Sequence, residues 1–218
     1  PKERIFHNIF FMIIAAGPVT IYHQTFPVQK TINRSKVFSL NFTILIILVF
    51  GLVCGYTRFE AEAHTIKAIA AFQSKDWKGV ITEIDKANWR YYNLDPTSTP
   101  LLWYRGMANF SLGRIKEARG DFLKAHTDHP YHIHVINNLG TCYAKLLEFD
   151  TAVDYYNKAL LIAPRFEQAI LNLGAVYFQM AKYRQAREAL LRCIKHNPRS
   201  RAAAYLKMVE ERIEPSEK

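Results

Sequence analysis

The sequence predicts an all-α protein in which two N-terminal transmembrane helices are followed by a solenoid of about four helix pairs and a capping helix. One observation is a pattern of small, apolar and proline residues that returns at a constant interval between Gly106 and Pro198. The other is a pair of apolar runs, residues 5–22 and 37–56, ahead of that pattern. We therefore expect a membrane region over residues 1–57, the solenoid over 58–213 and a tail over 214–218.

The repeat is clearest at three equally spaced glycines, Gly106, Gly140 and Gly174. Each is followed at fixed distances by a small residue, a large apolar residue and a proline: Ala118, Phe122 and Pro130, then Ala152, Tyr156 and Pro164, then Ala186, Leu190 and Pro198. The glycine permits close approach of the paired helix, and the proline ends the second helix. Such a period is typical of helical solenoids. It predicts regular repeats over residues 97–130, 131–164 and 165–198, a looser repeat before them, and a capping helix over 199–213.

The two apolar runs have the composition of membrane spans. Residues 37–56 contain no charged side chain, and at about 1.5 Å per residue they can cross a hydrocarbon core of about 30 Å. Residues 5–22 include the helix breakers Gly17 and Pro18, which membrane helices tolerate where neighbours satisfy the freed backbone groups. No turn signal follows Tyr56, so the second span is expected to continue into the first helix of the solenoid. We expect residues 5–56 to contact membrane lipid.

The loop between the two runs contains Lys30, Arg34 and Lys36 and no acidic residue. Short loops with this bias face the cytoplasm, so the solenoid is expected on the opposite side of the membrane. In a bacterium, this places the protein in the inner membrane and the repeats in the periplasm. Residue 1 is Pro rather than Met, and we expect the chain to begin inside a longer protein.

The chain has 29 Lys and Arg residues against 19 Asp and Glu residues, which gives a net charge of +10. The basic residues are spread through the repeats among acidic ones, which indicates a solvated surface, and nucleic acid is not expected as a partner. Anionic lipid headgroups or an acidic partner are compatible with the excess. The three widely spaced cysteines, Cys54, Cys142 and Cys193, fit small buried residues better than disulfides or metal ligands.

At these repeats the chain resembles the tetratricopeptide repeat family, closely over residues 131–198 and more loosely before them. The resemblance covers roughly residues 59–213. It implies antiparallel helix pairs in a right-handed superhelix, whose concave face is lined by the first helix of each pair and binds a peptide or protein partner. Carried over position by position, the resemblance implies a partner-binding groove formed by Trp103, Tyr104, Met107, His134, Asn137, Asn138, Thr141, Lys145, Gln168, Asn172 and Gln179.

Two asparagines of this implied groove, Asn138 and Asn172, lie one repeat apart and are expected to stack as a ladder. A side-chain amide offers both a donor and an acceptor, which suits a peptide backbone bound with little sequence preference. The alternative is that both are ordinary solvated residues of the groove. A basic clamp for a C-terminal carboxylate would need several Lys, Arg and Asn residues together, and only Lys145 and the asparagine pair fit, so that mode is not expected.

Other patterns give little support for chemistry in this chain. His126, His129, His132 and His134 form a histidine-rich tract, but Pro130 separates its two pairs and neither pair has the i, i+4 spacing of helical metal ligands. The sequence has no phosphate-binding loop, no dinucleotide glycine fingerprint and no serine nucleophile elbow. We expect no metal, no cofactor and no catalytic residue here.

Two functions fit these features. The first is a membrane-anchored scaffold whose repeats dock a peptide or protein partner. The second follows from the order of two spans, a basic loop and repeats, which is similar to the C-terminal end of O-antigen ligase or polymerase-like membrane proteins. That resemblance implies that the repeats are an accessory domain and that glycan transfer takes place in a membrane part upstream of this chain. A regulatory or secretion-associated membrane protein is a third interpretation.

Overall fold

A computed structural model describes residues 34–87 and 92–213, and the elements formed by these residues are helices, apart from an isolated bridge between Leu94 and Pro100. In chain order the helices are α1 (Arg34–Gln73), α2 (Trp77–Ala87), α3 (Leu101–Ser111), α4 (Ile115–Asp128), α5 (Ile133–Lys145), α6 (Phe149–Ile162), α7 (Glu167–Gln179), α8 (Tyr183–His196) and α9 (Ala202–Ile213). The chain divides into two units, Pro1–Glu60 and Ala61–Lys218. The all-α prediction is confirmed for the described residues.

The described part of the first unit consists of the apolar half of α1. Its large apolar side chains are exposed: Ile47 by 63%, Phe50 by 69% and Leu52 by 66%. Within the described residues, α1 is the one helix that is long and apolar enough to cross a membrane, judged by length and composition. The other predicted span, residues 5–22, lies outside the described residues, so the structure supplies one candidate span where two were predicted.

The predicted continuation of the second apolar run into a helix of the repeats is confirmed, because α1 runs unbroken from Arg34 to Gln73. The physical reason is in its sequence, since residues 57–73 contain no Pro or Gly and are rich in Ala, Glu and Lys. In the second unit, Ala68 of α1 is fully buried in the same core cluster as Val80 and Ile84 of α2.

The second unit is a stack of helix pairs. Helix α3 packs on α4, α5 on α6 and α7 on α8, and successive pairs join through contacts of α4 with α5 and of α6 with α7. Two core clusters fill the stack, one around Phe122 and one around Tyr156 and Leu190. The predicted solenoid of helix pairs is therefore confirmed, and it sets the first helices of successive pairs side by side.

The three glycines of the repeat lie where two helices of a pair approach most closely. If a Cβ atom were added to each, its nearest side-chain carbon would belong to the large residue of the paired helix: Phe122 at 2.6 Å from Gly106, Tyr156 at 2.7 Å from Gly140 and Leu190 at 3.1 Å from Gly174. Carbon atoms of real side chains essentially never approach within 3.0 Å of a Cβ. The helix pairing therefore requires glycine at the first two positions and leaves little room for a side chain at the third.

The final helix, α9, packs on α8 and closes the stack. The segment before it is held by Glu167 of α7, which accepts hydrogen bonds from Ser200 Oγ at 2.7 Å and Asn197 Nδ2 at 2.9 Å. Ala202 and Val209 are buried against the repeats, which is consistent with the predicted capping role.

Candidate functional site

A groove of about 390 Å³ crosses α3, α5 and α7, which are the first helices of three successive pairs. Because these helices repeat the same packing, residues that are far apart in sequence meet on one surface. We call this surface the groove and define it by its lining: Trp103 and Met107 from α3, His134, Asn137, Asn138 and Thr141 from α5, Phe166 immediately before α7, and Gln168 and Asn172 from α7.

Side-chain amides form a continuous chain of hydrogen bonds along the groove. Gln168 Nε2 donates to Asn172 Oδ1 at 3.0 Å, and Asn172 Nδ2 donates to Asn137 Oδ1 at 3.1 Å. Asn137 Nδ2 donates to Asn138 Oδ1 at 3.3 Å, and Asn138 Nδ2 donates to Met107 Sδ at 3.0 Å. The last acceptor is a thioether, which accepts hydrogen bonds weakly. A carbonyl oxygen entering the groove would therefore compete well for the Asn138 amide.

The link between repeats differs in detail from the predicted ladder. Asn138 and Asn172 both line the groove, but Asn172 donates to Asn137 and, at 3.3 Å, to Thr141 Oγ1. Successive residues of an α-helix are turned by about 100°, so adjacent asparagines on α5 face different neighbours. Asn137 is 3% exposed and faces α7, while Asn138 reaches Met107 on α3. The two residues together connect the three helices.

The floor of the groove is fixed to the second helix of its pair. Thr141 Oγ1 donates to the Asn137 carbonyl oxygen at 3.1 Å and accepts from the hydroxyl of Tyr156 on α6 at 3.2 Å. Tyr156 is 1% exposed, and burial raises the pKa of its hydroxyl to about 12. The hydroxyl therefore stays protonated and remains a donor throughout the physiological pH range.

One end of the groove is aromatic. The Trp103 ring lies 6.4 Å from the rings of both His132 and His134, and the His134 ring meets Phe166 edge to face at 5.2 Å. Among the described residues, none accepts a hydrogen bond from the buried Trp103 Nε1. Buried indole N–H groups usually donate a hydrogen bond, so Trp103 Nε1 departs from the usual pattern within the described residues.

The lining contains no Lys, Arg, Asp or Glu side chain among its nine residues, all of them described. The groove is therefore built from amides, a hydroxyl, a thioether and aromatic rings.

Three predicted groove residues lie elsewhere. Tyr104 is 9% exposed and belongs to the core, where its hydroxyl donates to Asp95 Oδ2 at 2.8 Å. Burial, with a smaller effect of Asp95, raises the pKa of Tyr104, so the hydroxyl remains protonated. Tyr104 follows Trp103 by one residue, and the helical turn between them directs it inward. Lys145 and Gln179 are exposed near the ends of α5 and α7, beyond the groove.

One residue of the histidine tract, His132, has a structural role in this arrangement. In the described residues no group of three or more His, Cys, Asp or Glu side chains is placed to hold a metal ion. His132 caps α5 instead, since its Nδ1 accepts a hydrogen bond from the Val135 backbone N–H at 3.3 Å. Burial, and then the neighbouring His134 and His129, lower the pKa of His132 and favour the neutral ring that this cap requires.

Sequence reasoning missed Phe166 as a lining residue. It occupies the position of His132 one repeat later and directly precedes the first helix of its pair. The available signal was this equivalence, because the residue before α5 also contacts Trp103. The positions implied by the family resemblance lie within the helices and exclude this one.

Two of these helix pairs match models of a known repeat family. Tetratricopeptide repeat models match residues 135–166 and 168–200, which contain the groove residues of α5 except His134, together with Phe166 and the groove residues of α7. Together with the solved structures described below, these matches show that the chain contains tetratricopeptide repeats. The matches give no support to a parent resembling an O-antigen ligase or polymerase.

Solved structures of low sequence identity share the fold. A fragment of MamA, 41-end, from Desulfovibrio magneticus is 18% identical, with 71% of this chain and 86% of that chain covered and a TM-score of 0.63. YrrB, described as a tetratricopeptide repeat protein with an unusual peptide-binding site, is 19% identical over 68% of this chain and 74% of its own, with a TM-score of 0.58. The first such domain of Spaghetti (RPAP3), bound to an HSP90 peptide, is 22% identical over 56% of this chain and 97% of its own, with a TM-score of 0.52.

Proposed function

We propose that the tetratricopeptide repeats of this protein dock an extended segment of a peptide or protein partner in the groove. The observation that carries this proposal is the chain of side-chain amides across α3, α5 and α7. It lies on a surface shared by three helix pairs, where one extended segment can contact all three at once. A scaffold rather than an enzyme fits a lining of this composition.

The amides of the groove have the hydrogen-bonding capacity that an extended backbone needs. Each side-chain amide has two N–H donors and an oxygen that accepts two hydrogen bonds. In the groove, one N–H of Asn138 donates to the Met107 thioether. Gln168 is exposed, and its side-chain oxygen accepts no hydrogen bond from the described residues. Backbone carbonyl and N–H groups of a bound segment would find both an acceptor and a donor.

Two of the similar structures give the proposal further support. The Spaghetti (RPAP3) domain was solved with an HSP90 peptide, and YrrB is described as having a peptide-binding site. Their identity to this chain is 22% and 19%, so the ligands themselves do not transfer. What they support is a peptide or protein as the class of partner.

The proposal is tested by partner capture with the variant Asn138→Ala/Asn172→Ala. Loss of both amides is expected to weaken capture about tenfold, equivalent to about 1.4 kcal/mol. Gln179→Ala is the matched control, since it removes an exposed amide of α7 that does not line the groove. Undiminished capture of the partner by the double variant would contradict the proposal.

A second variant separates binding from folding. Asn172→Ala leaves the buried Asn137 Oδ1 with one donor fewer, which can lower stability by about 1–3 kcal/mol. Asn138→Asp keeps an oxygen for Asn137 and removes the N–H donors, so it should weaken capture, and an unfolding curve of the same variant gives the stability cost of the new carboxylate. Equal capture by Asn138→Asp and the wild type would also contradict the proposal.

We further propose that residues 37–56 anchor the repeats to a membrane, with the repeats on the periplasmic side of a bacterial inner membrane. The exposed Ile47, Phe50 and Leu52 support this, because a continuous apolar surface on a helix needs lipid or protein cover. External protease added to spheroplasts should digest the repeats. Protection of the repeats from that protease would overturn the topology. An accessory role in a glycan-transfer enzyme has no support in the comparisons and is not proposed.

A further inference from the structure

We infer that the groove selects an uncharged stretch of peptide with one large apolar side chain, aromatic in first preference, that packs on the apolar lining formed by Trp103, Met107 and Phe166. This inference rests on the proposed peptide-binding function and specifies the chemistry of the bound segment. Three properties of the groove lead to it: its charge, the distribution of its apolar groups and its size.

The charge of the groove excludes charged anchors. Its lining contains no Lys, Arg, Asp or Glu, so an inserted carboxylate or ammonium group would lose water without gaining an opposite charge. An unpaired charge loses more on leaving water than one hydrogen bond to an amide returns. A neutral side chain carries no such cost, and neutral backbone groups are satisfied by the amides.

Three apolar side chains line the groove beside the amide chain. Trp103 and Met107 come from successive turns of α3, and Phe166 directly precedes α7. A thioether is polarizable and makes favourable contacts with aromatic rings, and ring edges and faces attract each other. The existing contact of His134 with Phe166, at an interplanar angle of 89°, already has this edge-to-face form. An aromatic anchor would therefore gain more here than an aliphatic one.

The size of the groove matches one anchor and its flanking backbone. Its volume of about 390 Å³ is near the lower end of ligand pockets, which hold roughly 300–1,000 Å³. With the anchor against Met107, the adjacent backbone carbonyl can replace the sulfur as acceptor for Asn138 Nδ2. This exchange leaves the thioether free to pack on the anchor and replaces a weak hydrogen bond with a stronger one.

The inference is tested with terminally blocked heptapeptides of Ala, Ser and Asn that differ in the central residue alone: Phe, Leu, Ala, Asp or Lys. Each is titrated against the 218-residue chain, and its dissociation constant is measured at equilibrium. The Phe peptide should bind tightest, the Leu peptide a few-fold more weakly, and the Ala peptide at least tenfold more weakly. The Asp and Lys peptides should bind more weakly than the Ala peptide. If the Asp peptide or the Lys peptide bound more tightly than the Ala peptide, the inference would be overturned.

Two matched variants show where the peptides bind. Gln168→Glu places a negative charge on the groove, whereas Gln179→Glu places one on the exposed end of the same helix. The first should weaken the Phe peptide several-fold and improve the Lys peptide relative to it, and the second should change neither. Equal effects of the two variants would overturn the assignment to the groove.

The outcomes also separate this inference from the proposed function. If none of the peptides binds while partner capture still depends on Asn138, the inference fails and peptide docking in the groove stands. If capture is insensitive to Asn138→Asp, the proposed function fails, and the inference that rests on it fails too.

Discussion

At the scale of single residues, the fit between a glycine and one large side chain decides how closely the helices of a pair approach. Gly140 and Tyr156 are the clearest case, because Tyr156 also supports the groove floor through Thr141. Gly140→Ala is expected to lower the free energy of unfolding by about 1–3 kcal/mol, since the new methyl group would lie 2.7 Å from the Tyr156 ring. Chemical denaturation of the variant and the wild type measures this difference.

Two other glycines serve as controls for this prediction. Gly120 lies within α4 with no atom within 4 Å of an added Cβ, so Gly120→Ala should raise stability by about 0.5–1 kcal/mol through helix propensity. Gly174→Ala should cost less than Gly140→Ala, because the Leu190 side chain is flexible and lies 3.1 Å away. A Gly140→Ala protein as stable as the wild type would contradict the close-packing account.

Residue type alone does not predict the backbone conformation at one turn position of the repeats. Gly113, Leu147 and Ala181 hold the same turn position of successive repeats, with φ values of 75°, 64° and 56°. This left-handed conformation is natural for glycine and unfavourable for Leu and Ala. A reader of the sequence would predict it at Gly113 alone, because at the other two positions the repeat imposes a conformation that the residue itself disfavours.

At the scale of elements, the start of α5 is the one most directly tied to the groove. The helix supplies Asn137, Asn138 and Thr141, and His132 caps it by accepting the Val135 N–H. The cap needs a neutral Nδ1 with a free lone pair. Protonation would remove that lone pair and add a positive charge at a helix N-terminus, which the helix dipole disfavours.

This cap predicts a pH dependence of stability. Burial, then His134 and His129, lower the pKa of His132, against smaller opposing effects of a hydrogen bond to its own backbone and of Asp95. A base with a lowered folded-state pKa contributes stability that is present above its unfolded pKa of about 6.5 and is lost as pH falls through the lower folded value. Between pH 7.5 and 5, the wild type should therefore lose more stability than His132→Asn, whose amide caps the helix without titrating.

The comparison of these two proteins isolates His132. The pKa of His126 is also lowered, by burial and then by Lys158, but His126 titrates in both proteins and its effect cancels. Urea unfolding at several pH values gives the two curves. Parallel curves for wild type and His132→Asn would rule out the cap as the source of the dependence.

Helices were predictable at this scale because the repeat specifies them twice, through apolar spacing and through the glycine and proline positions. The continuous α1 was also predictable, since its sequence lacks any break. The side chain that caps α5 was not, because a histidine at a helix start is compatible with a surface residue as well as a cap until its neighbours are placed.

At the scale of the whole molecule, periodicity explains why a groove could be anticipated at all. Residues one period apart come to one face, and this brings Trp103, Asn138 and Asn172 together from three helices. The partners within the groove were not predictable, since Asn137 rather than Asn138 bonds to Asn172. Which of the two adjacent asparagines faces the next repeat depends on the rotation of α5 about its own axis. The repeat period gives the spacing of equivalent residues and does not determine that rotation.

The central claim is that the groove is the surface that contacts the partner. The most direct test places a photo-reactive amino acid at position 168 of the groove or at position 161, where Leu161 is 84% exposed on the second helix α6. Irradiation in cells should crosslink a partner from position 168 and not from position 161, and Asn138→Asp should weaken the crosslink. Crosslinking of the same partner from position 161 alone, or equally from both positions, would contradict the claim.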